Sequence, residues 1–375
     1  MDLNLNLEHC APSPIRSDYR IGAIGAGFIM RDVQLPAYRT AGFPVAAIAS
    51  RTPEIAREVA DVRGISKVYD TIDELLADDS IDIFDIAVPP DRQVEIVRQL
   101  VRIGARPKGI LAQKPLATDL AGAREMVNTC AEHGITLAVN QNMRYDQSIR
   151  ALRTILQRGY LGEPVLATIE MRAVPHWQSW LQQYQRLTLL NMSVHHLDTL
   201  RWLFGQPDAV YTSARRDPRT EFPHEDGICL YILEYNNGFR ASGWDDVWLG
   251  PRTPNLDQDP YIRWRVEGLE GVAEGWIGWP QYPNRKPSQM RFNTLRQPDM
   301  WLTPKWNEVW FPDAFSGPMG SLMDAITLQH EPENSGRDNL ATMALVEACY
   351  LSLGEKRRVE LTEIALELEP KRVGQ

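Results

Sequence analysis

The chain has 375 residues, of which 43% are hydrophobic and 24% charged. This is the composition of a folded, soluble protein long enough for two domains. The formal net charge of −9 argues against sequence-independent binding to nucleic acid, which needs clustered lysine and arginine. We find no signal peptide, no membrane span and no CxxC pair among the four cysteines. We therefore expect a cytoplasmic protein with no membrane association and no metal site.

Residues 1–19 form an N-terminal extension in this interpretation. The segment is polar and is interrupted by Pro12 and Pro14. An unanchored terminus is the expected structure. The alternative is that the alternating residues 3–7 add an edge strand to a sheet.

Residues 20–145 alternate short apolar runs with amphipathic stretches, which predicts a parallel sheet with crossover helices. The candidate strands are residues 20–24, 45–49, 83–88, 109–112 and 136–139. The helical patterns between them are residues 53–62, 72–77, 93–103 and 120–133. This part of the chain is predicted to be an α/β domain.

A glycine-rich turn follows the first predicted strand. Gly25 permits the tight turn, and Gly27 lets the backbone approach a pyrophosphate. Phe28 and Ile29 open the next helix, whose N-terminus supplies amide donors. Met30 stands where a small residue usually allows close helix packing. The strand-turn-helix context predicts a Rossmann domain that binds NAD(P), and the alternative is a structural turn without a cofactor.

The second predicted strand ends at Ser50 and Arg51. NAD-preferring sites commonly present an acid here to the ribose hydroxyls. A hydroxyl and a guanidinium can instead bind a 2′-phosphate, which favours NADP. The alternative is that Arg51 is a solvated charge and NAD is accepted.

Gln113 and Lys114 follow another predicted parallel strand and precede Pro115. Ligands of open α/β sheets gather at the carboxyl ends of the strands. A lysine there, beside a nicotinamide, can donate to a substrate hydroxyl. The alternative is an ordinary surface lysine.

Residues 146–375 have a different pattern. Alternating stretches at residues 209–215, 227–234, 261–267 and 272–277 predict half-buried antiparallel strands, and helices are predicted at residues 191–204, 317–328 and 339–353. We expect a C-terminal α+β domain with a large, mainly antiparallel open sheet, whose bare face pairs subunits in a homodimer or homotetramer. All 11 tryptophans lie in this half. They suit a sugar cleft, with core packing as the alternative.

Several of these motifs occur together in one known family. The glycine turn, Val88-Pro89-Pro90, Gln113-Lys114-Pro115 and His195-His196-Leu197-Asp198 together resemble the Gfo/Idh/MocA oxidoreductases (glucose-fructose oxidoreductase, inositol dehydrogenase and relatives). The resemblance covers residues 20 to about 205. It implies NAD(P)-dependent hydride transfer at a hydroxyl carbon of a sugar, polyol or sugar acid. It also implies that Lys114 is catalytic and that the Lys114–Pro115 bond is cis.

The family's second catalytic signature is an aspartate four residues before a histidine, on one helix face. This chain has Asn191 and His195 at those positions. The resemblance implies that His195 is the general base. Asn191 can orient a substrate oxygen but cannot carry a proton. His196 is assigned to packing or helix capping.

The remaining site residues are also implied by the resemblance. The cofactor contacts are Gly25, Gly27, Phe28, Ile29, Ser50, Arg51, Val88, Pro89, Gln113, Lys114 and Asn142. The substrate contacts are Arg144, Trp177, Tyr184, Arg186, Asn191 and His195.

Two other functions remain open from the sequence. One is an NAD-dependent glycosidase, which oxidises a sugar transiently, eliminates the glycosidic bond and then returns the hydride. The other is a cofactor-binding sensor without turnover, which the neutral residues Gln113 and Asn191 would suit. The dehydrogenase differs from both in producing net reduced cofactor.

Overall fold

The computed structural model describes residues 5–173, 179–246, 260–278 and 283–367. The N-terminal domain contains a six-stranded sheet in the order β3-β2-β1-β4-β5-β6. Its strands are β1 (Ile21–Ile24), β2 (Val45–Ala49), β3 (Lys67–Val68), β4 (Ile83–Ile86), β5 (Gly109–Ala112) and β6 (Thr136–Val139). Every neighbouring pair is parallel. The predicted Rossmann architecture is therefore confirmed.

Crossover helices connect these strands and cover both faces of the sheet. They are α1 (Leu35–Ala41), α2 (Pro53–Arg63), α3 (Ile72–Leu76), α4 (Pro90–Ile103) and α5 (Leu120–Glu132). Helices α2 and α4 begin at prolines, which suit the first helical position because its N–H needs no partner. They end at Gly64 and Gly104, with φ of 75° and 82°, where glycine adopts a left-handed conformation without steric cost.

The C-terminal domain contains a nine-stranded sheet in the order β14-β13-β12-β11-β7-β10-β9-β8-β15. Its strands are β7 (Pro164–Arg172), β8 (Ala209–Arg215), β9 (Ile228–Glu234), β10 (Arg240–Asp246), β11 (Tyr261–Gly268), β12 (Gly271–Trp276), β13 (Gln289–Thr294), β14 (Gln297–Leu302) and β15 (Val359–Glu360). Only β7 and β10 pair in parallel among these strands. The expected large, mainly antiparallel sheet is confirmed.

Five helices belong to this part of the described chain. They are α6 (Gln147–Gln157), α7 (Val194–Phe204), α8 (Ser316–Leu328), α9 (Gly336–Glu355) and α10 (Leu361–Glu367). Helix α9 packs on β8 and also on α5 and β6 of the first domain. The two domains therefore share one hydrophobic core. No helix within the described ranges is both long and apolar enough to span a bilayer.

The other face of the second sheet carries exposed apolar side chains. Leu166, Tyr211, Leu230 and Ile232 are 39–47% exposed. Tyr211 and Ile232 pair directly across β8 and β9, while the adjacent residue Leu233 is buried. This is the alternation expected of a sheet with one covered face.

The N-terminal extension is anchored, so the expectation of a loose terminus was wrong for residues 5–18. The side chain of Leu7 is only 2% exposed. The backbone amide of Ile15 donates to Asp324 over 2.7 Å. Residues 5–9 join no strand, so the edge-strand alternative is also wrong for them. Because the anchoring partners lie far along the chain, the local pattern gave no sign of them.

Candidate active site

The glycine turn follows β1 with the geometry that the motif requires. Gly25 has φ of +104°, and a Cβ there would lie 2.4 Å from the carbonyl oxygen of Ala87. Among the described residues, apart from Gly27 itself and its two chain neighbours, none has an atom within 4 Å of a Cβ built on Gly27. Gly25 therefore closes the turn, and Gly27 leaves the open surface that a pyrophosphate needs. A π-helical turn, Ile29–Gln34, begins the following helix.

Ser50 and Arg51 lie directly after β2, at the carboxyl edge of the sheet. The Ser50 hydroxyl donates to the Thr52 carbonyl over 2.6 Å and accepts from the Thr52 amide over 3.2 Å. Arg51 is exposed. Ser50 therefore shapes this turn, and Arg51 is an exposed cationic residue at this edge of the sheet.

Lys114 follows β5, and its bond to Pro115 is cis as the resemblance implies. Its Nζ donates to the backbone carbonyl of Asn191 over 2.8 Å. Desolvation in this cleft lowers the pKa of Lys114 to about 8. The ammonium group is therefore protonated near neutral pH, but close to its titration point.

Gln93 of α4 holds the chain segment around Lys114. Its side-chain oxygen accepts from the Gln113 amide over 2.6 Å, and its nitrogen donates to the Pro115 carbonyl over 2.9 Å. The side-chain oxygen of Gln113 in turn accepts from the Lys114 amide over 3.2 Å. These bonds fix the direction in which the lysine leaves the sheet.

A buried carboxyl, which sequence analysis missed, lies behind Gln113. Asp85 of β4 accepts hydrogen bonds from Gln34 over 2.8 Å and from Tyr38 over 2.7 Å. Gln34 also accepts from Gln113 over 3.4 Å. Burial raises the pKa of Asp85 to about 7. Gln113 thus places a neutral side chain where the family usually has an acid. The acid Asp85 lies behind it and is connected to it through Gln34.

His195 lies in the first turn of α7 and is 7% exposed. Burial, together with the positive charge of Lys114, holds the pKa of His195 well below its usual range. Its Nδ1 has no hydrogen-bond partner among the described residues. His195 is therefore a neutral imidazole at physiological pH, in the protonation state of a general base.

One cleft brings these residues together. It encloses about 890 Å³ of space, including its open mouth. Its polar lining consists of Gln113, Lys114, Asn142, Asn191, His195 and His196. Its apolar lining consists of Phe28, Ile29, Val88, Pro90, Met171, Trp180, Leu181, Met192, Ile262, Trp310, Phe311 and Phe315. The cleft therefore brings the start of the helix after the glycine turn together with the three predicted catalytic residues, Lys114, Asn191 and His195.

Asn191 was predicted to begin the α-helix that contains His195, but α7 begins only at Val194. It belongs to a π-helical turn, Leu189–Ser193, that precedes α7. Its carbonyl receives Lys114, and the residue still lines the cleft. Asn142, which also lines it, donates to the Asn140 carbonyl over 3.1 Å.

Three predicted substrate residues do not reach the cleft. Arg144 is 1% exposed and pairs with Asp198. Arg186 pairs with Glu347 at 3.0 Å and lines a separate surface pocket. The Tyr184 hydroxyl donates to Asp91.

The resemblance placed Arg144 in the segment after β6 and Arg186 just before the helix of His195, where family members contact cofactor or substrate. Acids distant in sequence bind both guanidinium groups instead. Pro89 caps α4 beside the cleft without lining it. Trp177 lies outside the described residues.

His196, which was assigned to packing or helix capping, also lines the cleft. Its Nδ1 lies 2.8 Å from Oδ1 of Asp245, which is within ion-pair distance, but the two atoms do not have hydrogen-bond geometry. The Ser193 hydroxyl donates a hydrogen bond to Asp245, which is fully buried in β10. A carboxylate thus lies behind a second cleft histidine. The sequence shows the two adjacent histidines, but it does not show that Asp245, which is distant in sequence, lies beside His196.

Comparison with known proteins establishes the family. Residues 19–141 match the model of an oxidoreductase family with an NAD-binding Rossmann fold. Residues 153–361 match the model of the same family's C-terminal alpha/beta domain. The chain belongs to the Gfo/Idh/MocA family of oxidoreductases.

Individual relatives have similar length and fold. D-apiose dehydrogenase of Paraburkholderia graminis is 27% identical over 92% of this chain and 90% of its own. Inositol 2-dehydrogenase of Rhizobium meliloti is 24% identical over 91% of this chain and 99% of its own. An Agrobacterium radiobacter oxidoreductase, solved with NAD⁺, L-tartaric acid and magnesium, superposes with a TM-score of 0.77. It is 24% identical and matches 92% of this chain and 99% of its own.

Proposed function

We propose that this protein is an NAD(P)-dependent dehydrogenase that oxidises a hydroxyl carbon of a sugar, polyol or sugar acid. The observation that carries the proposal is the cleft in which Phe28 and Ile29, directly after the glycine turn, lie together with Lys114 and His195. Nicotinamide, when bound, supplies the hydride acceptor. The open surface at Gly27 and the cleft residues Phe28 and Ile29 suit that cofactor.

Lys114 is proposed to hold the reacting oxygen. Its ammonium group already donates to a carbonyl oxygen in the cleft, so it can donate equally to a substrate hydroxyl. A fixed positive charge at this point stabilises the negative charge that develops on the oxygen as its proton leaves. Burial lowers the pKa of Lys114 to about 8, which is still high enough for the donor to be charged at neutral pH.

His195 is proposed to accept the hydroxyl proton. Its neutral imidazole beside charged Lys114 is the arrangement that the reaction needs before proton transfer. After transfer, two cations lie close together, and neutral Asn191 cannot offset them. The buried carboxylate of Asp245 lies behind the neighbouring residue His196. Its negative charge is proposed to stabilise His195 after it has accepted the proton.

The substrate class rests on the cleft and on the relatives. Apolar and aromatic side chains dominate the lining, and such surfaces pack against the C–H faces of sugar rings. Relatives that align over most of the chain are named as dehydrogenases of D-apiose and inositol. The test is a screen of sugars, polyols and sugar acids that follows the absorbance of reduced cofactor.

Lys114→Met serves as the negative control in this screen. Steady cofactor reduction that disappears in the variant supports the dehydrogenase. Glycoside cleavage without net reduction would show the transient mechanism instead. Binding of cofactor without turnover across the whole panel would favour a sensor.

NADP is the proposed preferred cofactor, because Arg51 is exposed at the end of β2. Arg51→Asp removes a phosphate partner and adds a ribose acceptor. The ratio of kcat/KM with NADP to that with NAD should fall roughly 10- to 100-fold, the equivalent of one charge-assisted hydrogen bond. Arg39→Asp, an exposed site on α1, makes the same charge change elsewhere and should leave the ratio unaltered. An unchanged ratio in Arg51→Asp would remove Arg51 from the cofactor site.

The open face of the second sheet is proposed to pair with a second copy of this chain. Tyr211, Leu230 and Ile232 are exposed on the neighbouring strands β8 and β9, and Leu166 is exposed on β7 of the same sheet. Exposed apolar surfaces commonly mark subunit contacts. Sedimentation should show a dimer or tetramer, and Ile232→Lys should shift it towards the monomer. Val62→Lys, at an exposed apolar site on α2, is the matched control. A monomeric wild-type protein would contradict the proposal.

A reducing compartment such as the cytoplasm is the proposed location. Cys10, Cys130, Cys229 and Cys349 are all unpaired. Disulfides form readily in oxidising compartments and are rare in the cytosol. The unpaired state supports the location expected from the sequence.

A further inference from the structure

The anchored extension brings two metal-ligating side chains to the C-terminal domain. His9 and Cys10 meet Glu308, and one ligand atom from each residue lies within 4.8 Å of the other two. Nε2 of His9 is 3.2 Å from Oε2 of Glu308. Residues 5–18 are called the N-terminal arm below, and residues 303–312, which follow β14, the 303–312 loop.

These ligand groups are held in place by their surroundings. The His9 ring stacks on Trp306, with centroids 5.3 Å apart and planes 16° apart. The Asn307 amide donates to Glu308 over 3.2 Å. The arm is fixed on both sides of the ligand pair, by buried Leu7 and by the bond from Ile15 to Asp324. A site ordered in advance loses little entropy when it binds an ion.

We propose that His9, Cys10 and Glu308 bind one divalent transition-metal ion, zinc being the best fit, and that this ion fastens the N-terminal arm to the 303–312 loop. The inference does not depend on the proposed dehydrogenase activity. Sequence analysis predicted no metal site because Glu308 lies 299 residues from His9, so no ligand spacing is visible along the chain.

The donor set selects the class of ion. One imidazole nitrogen, one thiolate sulfur and one carboxylate oxygen are ligands typical of zinc, whereas magnesium and calcium prefer oxygen alone. The Cys10 thiol loses its proton to solvent when its sulfur binds the ion, and no redox change occurs. The thiolate and carboxylate together balance a 2+ charge, and water completes a tetrahedral shell.

The site is open to an incoming ion and is distinct from neighbouring charge pairs. The His9 and Glu308 side chains are 33% and 44% exposed, so solvent reaches the ligands. Asp313 is also close to Cys10, but both of its oxygens accept from Arg285, over 3.0 and 2.5 Å. The three proposed ligands therefore form the core of the site.

A bound ion would act on a wall of the active-site cleft. Glu308 belongs to the same loop as Trp310 and Phe311, which line that cleft. Coordination adds bonds between this loop and the arm, so it restrains the loop's backbone. The site is thus a clip that supports the cleft without contacting the reacting atoms.

The first test measures metal binding by the full-length, tag-free protein after chelator treatment and dialysis. Zinc titration should give one site, and cobalt should give a near-ultraviolet thiolate-to-metal absorption. His9→Gln, Cys10→Ser and Glu308→Gln should each weaken zinc at least about 10- to 100-fold, which is the cost of losing even an outer-shell partner. Cys10→Ser should also abolish the cobalt absorption. His330→Gln, at an exposed histidine, is the control and should bind normally.

Lack of stoichiometric zinc binding, or equal weakening by His330→Gln, would overturn the site. The second test is tryptic cleavage after Arg16, whose side chain is 49% exposed in the arm. Zinc should slow this cleavage in the wild type but not in Glu308→Gln. Binding without such protection would overturn the fastening of the arm.

Discussion

His195→Ala is expected to lower kcat about 10²- to 10⁴-fold, the typical loss for a positioned general base. This corresponds to a barrier increase of roughly 3 to 5 kcal/mol. Cofactor affinity should hardly change, because the imidazole is proposed to contact the substrate hydroxyl. The measurement combines steady-state kinetics on the substrate found in the screen with a cofactor titration by fluorescence.

The control is His330→Ala, which changes an exposed histidine and should keep full turnover. His196→Ala tests whether the second cleft histidine, beside Asp245, is the base instead. Unimpaired turnover in His195→Ala, with a large loss in His196→Ala, would move the assignment by one residue. Asn191→Asp adds a further comparison: a raised KM would show that the amide contacts the substrate.

The pH profile tests Lys114 separately. If its ammonium group must be charged, kcat/KM should fall above about pH 8, the pKa that desolvation gives it. Above that pH, the fraction of Lys114 that is still charged falls about tenfold for each further pH unit, and kcat/KM should fall in proportion. Lys114→Met should be nearly inactive, and its residual kcat/KM should not fall above pH 8. A flat profile up to pH 10 would contradict a charged donor with this pKa.

The sequence predicted the first domain well because its signals are local. A buried parallel strand is a short apolar run, and the turn after β1 needs glycine for reasons that act within a few residues. The second sheet was predicted less completely. Strand β10 contains Asp245 and Asp246, so its residues do not read as a buried strand. Both acids are nevertheless buried and paired, with His196 and with Arg219.

The same distinction applies to the candidate site. Lys114 and His195 stand in motifs, and the structure brings them into one cleft. The aromatic wall formed by Trp310 and Phe311 comes from a loop with no recognisable pattern. Tyr184, predicted to reach the substrate, is instead bound to Asp91. Such pairings depend on tertiary contacts, and these cannot be read from local sequence.

Arg144→Met is expected to lower the free energy of unfolding by about 3–5 kcal/mol, the usual cost of breaking a buried ion pair. Arg144 and Asp198 are each 1% exposed and are joined by two hydrogen bonds of 2.6 Å. Without Arg144, the described residues leave Asp198 the hydrogen bond from Thr342. Within that part of the chain, no cation then remains paired with its buried charge.

Urea unfolding followed by tryptophan fluorescence measures this effect, and Arg186→Met is the matched control. Arg186 is 39% exposed and pairs with Glu347, so its loss should cost at most about 1 kcal/mol. Arg144→Met/Asp198→Asn should recover part of the stability, because it removes the charge left behind. The opposite result, unchanged stability with a raised KM in Arg144→Met, would return Arg144 to the substrate-binding role that the sequence suggested.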